Sequence, residues 1–135
     1  MIGSFDRIGF RRHSRAFRPG DLEVDLSGRV CLVTGGNAGL GRATAEALAK
    51  RGATVSLLCR NADRAETARD EIRQVTGNAR VEFSVMDISD LTSVRRYGAS
   101  ASLEKVDVLV HNAGILLPAS RVLTADGLEL TFATH

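Results

Sequence analysis

The stretch Val30-Cys31-Leu32-Val33-Thr34-Gly35-Gly36-Asn37-Ala38-Gly39-Leu40-Gly41 decides the reading of this chain. Its first five residues are apolar or β-branched and read as a buried strand. Glycines follow at once. Apolar residues then recur at helical spacing, at Leu40, Ala43, Ala47 and Leu48, as far as Gly52. A strand that turns through glycines into a helix makes a cradle for a phosphate group. Glycines let the backbone approach closely, and the helix start offers N–H groups and partial positive charge. A glycine pattern alone is a weak signal, but its place between strand and helix strengthens it. The bland alternative is a tight turn that holds no ligand. A Walker-type phosphate loop does not fit, because Arg42 and Ala43 stand where Gly-Lys-Ser/Thr would have to follow.

Working outward, strands and helices alternate. Residues 29–34, 54–59, 80–85 and 106–110 read as strands, and 40–51 and 63–75 as helices. A third helix, capped by Ser89 or Asp90, runs to about 102, with Leu91, Val94 and Leu103 facing in. The run Thr124-Ala125-Asp126-Gly127-Leu128-Glu129 is expected to open one more. This order predicts an α/β fold: a partial Rossmann-like, doubly wound parallel sheet with strand order 3-2-1-4 and right-handed crossovers. Two units are expected, a basic leader over 1–25 and a truncated NAD(P)-binding Rossmann domain over 26–135.

The end of the second strand bears on which dinucleotide would fit. NAD binders usually place an acid there to hold the ribose hydroxyls. This chain has no acid between Glu46 and Asp63, and Arg60 ends the strand. A guanidinium can pair with a 2′-phosphate through two parallel hydrogen bonds, so NADP(H) is favoured over NAD(H). Arg42 could add charge, and the bland alternative for Arg60 is a solvated strand-end cation. Asp87, after the third strand, can accept a hydrogen bond from an adenine amino group or cap the next helix. His111-Asn112-Ala113-Gly114 closes the fourth strand. Its small residues let backbone approach a ligand, and Asn112 can bond to neighbouring strands. His111 reads as a packed strand-end residue with no partners for a metal.

With 44% hydrophobic and 25% charged residues over 135 positions, the chain allows one soluble globular domain. A net charge of +2 is only weak evidence for a nucleic-acid partner, and none is expected. Cys31 and Cys59 fall in apolar strands and read as buried core thiols, which suits a reducing, intracellular and by default cytoplasmic location. The leader leaves mitochondrial or membrane-peripheral placement open. It carries Arg7, Arg11, Arg12, Arg15 and Arg18 against Asp6, with Phe5, Ile8, Phe10 and Phe17 interspersed. Gly3 and Gly9 weaken a helix there, and Pro19-Gly20 ends it. It reads as a membrane-surface segment acting through residues 1–20, an organelle presequence, or a leader that packs loosely on the domain.

Thr34-Gly35-x-x-x-Gly39-x-Gly41, Asp87 after the third strand and Asn112-Ala113-Gly114 after the fourth together resemble the short-chain dehydrogenase/reductase family, from about Asp21 to His135. The resemblance implies that Gly35, Gly39 and Gly41 hold a pyrophosphate, with Asn37 and Leu40 lining the same loop. It implies that Arg60 selects NADP(H), that Asp87 meets adenine, and that Asn112, Ala113 and Gly114 flank the cofactor ribose. It implies an alcohol or carbonyl oxidoreductase acting on a small-molecule substrate in a full-length form. The family's catalytic Ser and Tyr-x-x-x-Lys are absent from these 135 residues: Tyr97, the sole tyrosine, has Ala101 four positions on, and the only lysines are Lys50 and Lys105. His135 stands where many relatives carry Asn, and the segment between Val94 and Val106 is slightly short. No catalytic residue or metal ligand is therefore assigned. The alternative to the cofactor half of an oxidoreductase, inactive alone, is a non-catalytic nucleotide-binding or interaction module.

Overall fold

The structure, a computed structural model, describes residues 7–116 and 118–135. A short helix α1 (Arg7–His13) and two 3-10 turns (Ser14–Ala16 and Pro19–Leu22) precede the alternating part. That part runs β1 (Val30–Thr34), α2 (Gly39–Lys50), β2 (Thr54–Cys59), α3 (Ala62–Thr76), β3 (Val81–Val85), α4 (Leu91–Ser100), β4 (Val108–Val110) and α5 (Leu130–Thr134). The four strands form one parallel sheet in the order β3-β2-β1-β4, as the alternation predicts. Val33 pairs with Leu57 on β2 and Val110 on β4, and Val55 pairs with Val81.

Both sheet faces are covered, by different amounts. On one, Cys31, Val33, Val55, Leu57, Cys59 and Val81 pack against Ala45 and Ala49 of α2 and Ala65, Ala68 and Ile72 of α3. Burying each large aliphatic side chain in this layer contributes roughly 1.5–3 kcal/mol. On the other face, Leu32, Leu58 and Met86 meet Val94 and Tyr97 of α4. Both cysteines are buried and free, as their strand positions predict.

Several local readings need correction. The face that α2 buries is Gly41, Ala45 and Ala49, with Leu48 half-buried. Ala43 and Ala47 are exposed, and Leu40 is 82% exposed. A stripe of small residues lets the helix lie closer to the sheet than the more hydrophobic row could, and hydrophobicity alone does not register that closeness. Leu91 and Leu103 are also exposed, so Val94 and Tyr97 are the inward contacts of α4. Residues 124–129 are not helical. The Thr124 N–H donates to the Leu128 carbonyl (2.8 Å), the Leu128 N–H to the Thr124 hydroxyl (3.3 Å), and Leu123 bridges Glu129 antiparallel. These bonds close a turn, and α5 begins only where Glu129 caps it. Strand β4 starts at Val108, and just before it Asp107 donates its N–H to the Val30 carbonyl (2.9 Å) while its carboxylate accepts the Val30 N–H (2.8 Å).

Candidate cofactor cleft

Loops at the carboxyl ends of the strands enclose a cleft of about 360 Å³. Its floor is the β1–α2 turn. Gly35 donates its N–H to the Leu58 carbonyl (2.8 Å), which holds the turn against β2. A Cβ on Gly35 would sit 3.0 Å from the Ala113 Cα. Gly41 lies beneath the turn, where a Cβ would collide with the Asn112 amide and come within 2.6 Å of the Gly35 carbonyl. Two different constraints therefore require these glycines: one presses on the opposite loop, the other on the turn itself.

Asn112 fastens the far side. Its Nδ2 donates to the Thr34 carbonyl (3.0 Å) and, more weakly, to the Gly35 carbonyl (3.4 Å). The Thr34 hydroxyl accepts from the N–H groups of Asn112 and Ala113 (both 3.0 Å) and donates to the Val110 carbonyl (3.3 Å). Thr34 is thus a buried hub joining β1 to the end of β4, and it lines the cleft.

The helix starts differ. Helix α3 is capped by Asn61, whose side chain accepts from the Arg64 N–H (2.9 Å). Asp90 caps α4 at the Thr92 N–H (2.8 Å). Glu129 caps α5 at the Thr131 and Phe132 N–H groups, which hold its carboxyl below the usual range. Helix α2 starts after Ala38 with no side-chain cap. Its first-turn N–H groups are left for water or an anion, with the positive end of the helix dipole behind them.

Arg60, just after β2, and Arg64, in the first turn of α3, both line the cleft. Neither guanidinium has a partner among the described residues. Arg42 does not line it. It pairs with Glu71 of α3 (2.6 Å) and ties two helices together instead. Asp87 accepts the N–H (2.9 Å) and hydroxyl (2.7 Å) of Ser89, both at Oδ1. It does not cap α4, since Asp90 does. Burial pushes the Cys59 thiol up, partly offset by the N–H groups of Asn37 and Gly36, so it stays protonated at neutral pH.

Of the residues singled out from sequence, Gly35, Asn37, Gly39, Arg60, Asp87, Asn112, Ala113 and Gly114 come together in this cleft. Leu40 and Gly41 do not line it: Leu40 points to solvent, and Gly41 is buried under the turn. His111 is exposed, contrary to the packed reading, and the His135 ring lies against Gly114, where a Cβ would be 2.8 Å from Cε1. Sequence reasoning missed Arg64, Met86, Ile88, Ser89, Ile115 and Thr134 as lining residues. Arg64 was the most findable, as a cation one helical turn after Arg60.

A profile of the family described as short chain dehydrogenase matches residues 29–134. The chain belongs to the short-chain dehydrogenase family. It is 43% identical over 135 residues to dehydrogenase/reductase SDR family member 12 of Homo sapiens, covering 99% of this chain and 42% of that protein. Among solved structures, an uncharacterised protein from Mycobacterium paratuberculosis superimposes with a TM-score of 0.74 at 38% identity, over 87% of this chain and 41% of that one. L-sorbose reductase from Gluconobacter frateurii, solved with NADPH and L-sorbose, gives 0.61 at 32% identity, over 76% and 38%. The chain spans about two-fifths of the length of these three proteins. No helix among the described residues is long and apolar enough to cross a membrane.

Proposed function

We propose that residues 26–135 are the NADP(H)-binding half of a short-chain dehydrogenase-type oxidoreductase, with residues 1–25 as a separate leader. The observation that carries this reading is the pairing of one helix start without a side-chain cap, at α2, with two arginines in the same cleft that have no partner among the described residues. An anion and a second phosphate fit those two features together. The reductase solved with NADPH supports the choice of cofactor class.

In this reading the N–H groups at the start of α2 bind the pyrophosphate, with Gly35, Asn37 and Gly39 leaving room for it. Arg60 pairs with the 2′-phosphate and Arg64 adds charge beside it. Asp87 is held by Ser89 at Oδ1, so its Oδ2 can accept from the adenine amino group. Asn112, Ala113 and Gly114 border the ribose next to the nicotinamide. When bound, the nicotinamide supplies or accepts a hydride. This chain's own residues bind and orient. An acid/base pair of the Tyr-x-x-x-Lys type, and the pocket for a small alcohol or carbonyl substrate, would come from a full-length protein. The 135-residue chain is therefore expected to show no hydride transfer to any alcohol or ketone.

The test is titration of NADPH and NADH against the wild-type chain, Arg60→Ala and Arg60→Asp at matched ionic strength. Loss of a charge-assisted hydrogen bond shifts the preference by roughly 10- to 100-fold toward NADH. The aspartate variant goes further, because it repels the 2′-phosphate and offers an acceptor to the ribose hydroxyls. Equal weakening of both dinucleotides would leave Arg60 a scaffold residue and remove the NADP(H) assignment.

A further inference from the structure

The basic charge of this protein is concentrated in one place. The first twenty residues carry five arginines and one aspartate, with no acid from Arg7 to Gly20. Residues 21–135 carry 13 Lys and Arg against 15 Asp and Glu, a net charge of −2. A cationic segment is thus joined to a mildly acidic domain.

Local geometry adds an apolar element. Phe10 and Phe17 lie two helical turns apart in sequence, yet their ring centroids are 6.3 Å apart, edge to face at 67°. The change from α1 to the 3-10 turn brings them together: the Ser14 hydroxyl donates to the Arg11 carbonyl (3.2 Å) and the Phe17 N–H to the Ser14 carbonyl (3.1 Å). The rings are 64% and 58% exposed and belong to neither core cluster. Arg11, Arg12, Arg15 and Arg18, beside them in the sequence, are exposed too. Leaving two phenylalanines in water forgoes a favourable burial term, so an exposed aromatic pair flanked in sequence by arginines suits a surface that is apolar below and anionic above.

We propose that residues 7–18 dock the protein on the surface of an anionic phospholipid bilayer. The Phe10–Phe17 pair enters the headgroup–acyl boundary, and the arginines pair with lipid phosphates and carboxylates. The segment lies on the membrane and does not span it. Charge complementarity selects an anionic partner, and the aromatic geometry selects lipid over nucleic acid. Unpaired bases bind by stacking on open ring faces, whereas these two rings pack against each other and present a compact apolar knob.

The experiment is co-sedimentation of the full 135-residue chain with phosphatidylcholine vesicles and with mixed phosphatidylserine–phosphatidylcholine vesicles. Binding to the mixed vesicles only, weakening as salt rises, is the expected result. Arg11→Gln, Arg15→Gln and Arg18→Gln together should lower the partition coefficient by roughly 100-fold, at about fivefold for each charge removed. Replacing the same three by Lys should restore most of it. Phe10→Ser with Phe17→Ser should weaken binding by about tenfold or more, including at salt concentrations that screen the arginines. All these side chains are exposed, so far-ultraviolet circular dichroism should match wild type in every variant. Equal binding to both vesicle types, no binding to either, or retention on single-stranded RNA without vesicle binding would each overturn the proposal.

Discussion

Two asparagines mark opposite ends of the sheet, and each holds two backbone carbonyls. Asn78, at the amino end, is buried. Its Nδ2 donates to the Ala49 and Ala53 carbonyls (2.9 and 2.8 Å), and its Oδ1 accepts the Arg80 N–H (2.9 Å). Asn112, at the carboxyl end, holds the Thr34 and Gly35 carbonyls beside the cleft. Around Asn78 the polar groups are closed by side chains: Arg80 reaches the Gly52 carbonyl, and Asp107 gathers Val30, Arg29 and Lys105. Around Asn112 some have no side-chain partner among the described residues: the start of α2, Arg60 and Arg64. One end is finished for stability, whereas the other withholds its last partners. Binding sites in open α/β sheets fall at the carboxyl ends of the strands, and here the hydrogen-bond inventory shows the asymmetry in atomic terms.

The most disruptive way to break this contrast is Gly41→Val. Its side chain must enter space held by Asn112 and the Gly35 carbonyl, which are partly backbone and cannot all yield. A loss of about 3 kcal/mol is expected, read from chemical denaturation midpoints. A variant as stable as wild type would show that the turn has slack.

Asn78→Ala and Asn112→Ala separate the two ends. The first leaves two carbonyls and an N–H without their partner in a buried place and should cost about 2–3 kcal/mol. Its folded fraction should bind NADPH with wild-type affinity. Asn112→Ala, half-exposed, should cost about 1 kcal/mol in stability but weaken NADPH roughly tenfold, because the turn loses its anchor. Isothermal titration beside thermal melts gives both readouts; equal binding losses in the two variants would erase the distinction.

A smaller and more pointed change is Ala38→Asp. Ala38 has the extended backbone of an N-cap (φ −155°, ψ 163°), so a carboxylate there can cap α2. Stability should rise by about 1 kcal/mol while NADPH binding falls, because the cap occupies the N–H groups and repels phosphate. A gain in both would mean that no anion binds there.

The gentlest test is pH. The Val30 N–H above all, then Arg29 and Lys105, hold the Asp107 carboxyl down at about 2, against an ordinary 3.8. Since its folded value is the lower one, its contribution is complete above the ordinary value and fades as pH falls toward about 2. Asp107→Asn should flatten the stability profile in that window and leave it unchanged near neutrality except for a constant offset.

Local signals carried most of the architecture. The run Val30–Thr34 with its glycines, the strand 54–59, and the stop at Gly52 could be read directly, because strand burial and helix termination depend on residues within one or two turns. So did the grouping of Gly35, Asp87 and Asn112, since parallel strands with short loops bring all their carboxyl ends to one side. What local pattern could not decide were choices between nearly equivalent partners. Arg42 and Arg64 look alike in sequence. Only the packing of α2 on α3 gives Arg42 to Glu71 and leaves Arg64 to the cleft. Gly41 reads as one more loop glycine, but it is buried support beneath the turn. Thr124 begins what looks like a helix until its hydroxyl closes a turn on Leu128. Sequence by itself determined the order of the elements and the end of the sheet at which the site lies. The tertiary structure decided which side chains are already engaged there, because an ion pair or a hydrogen bond removes a group from binding only once the fold has brought its partner into contact.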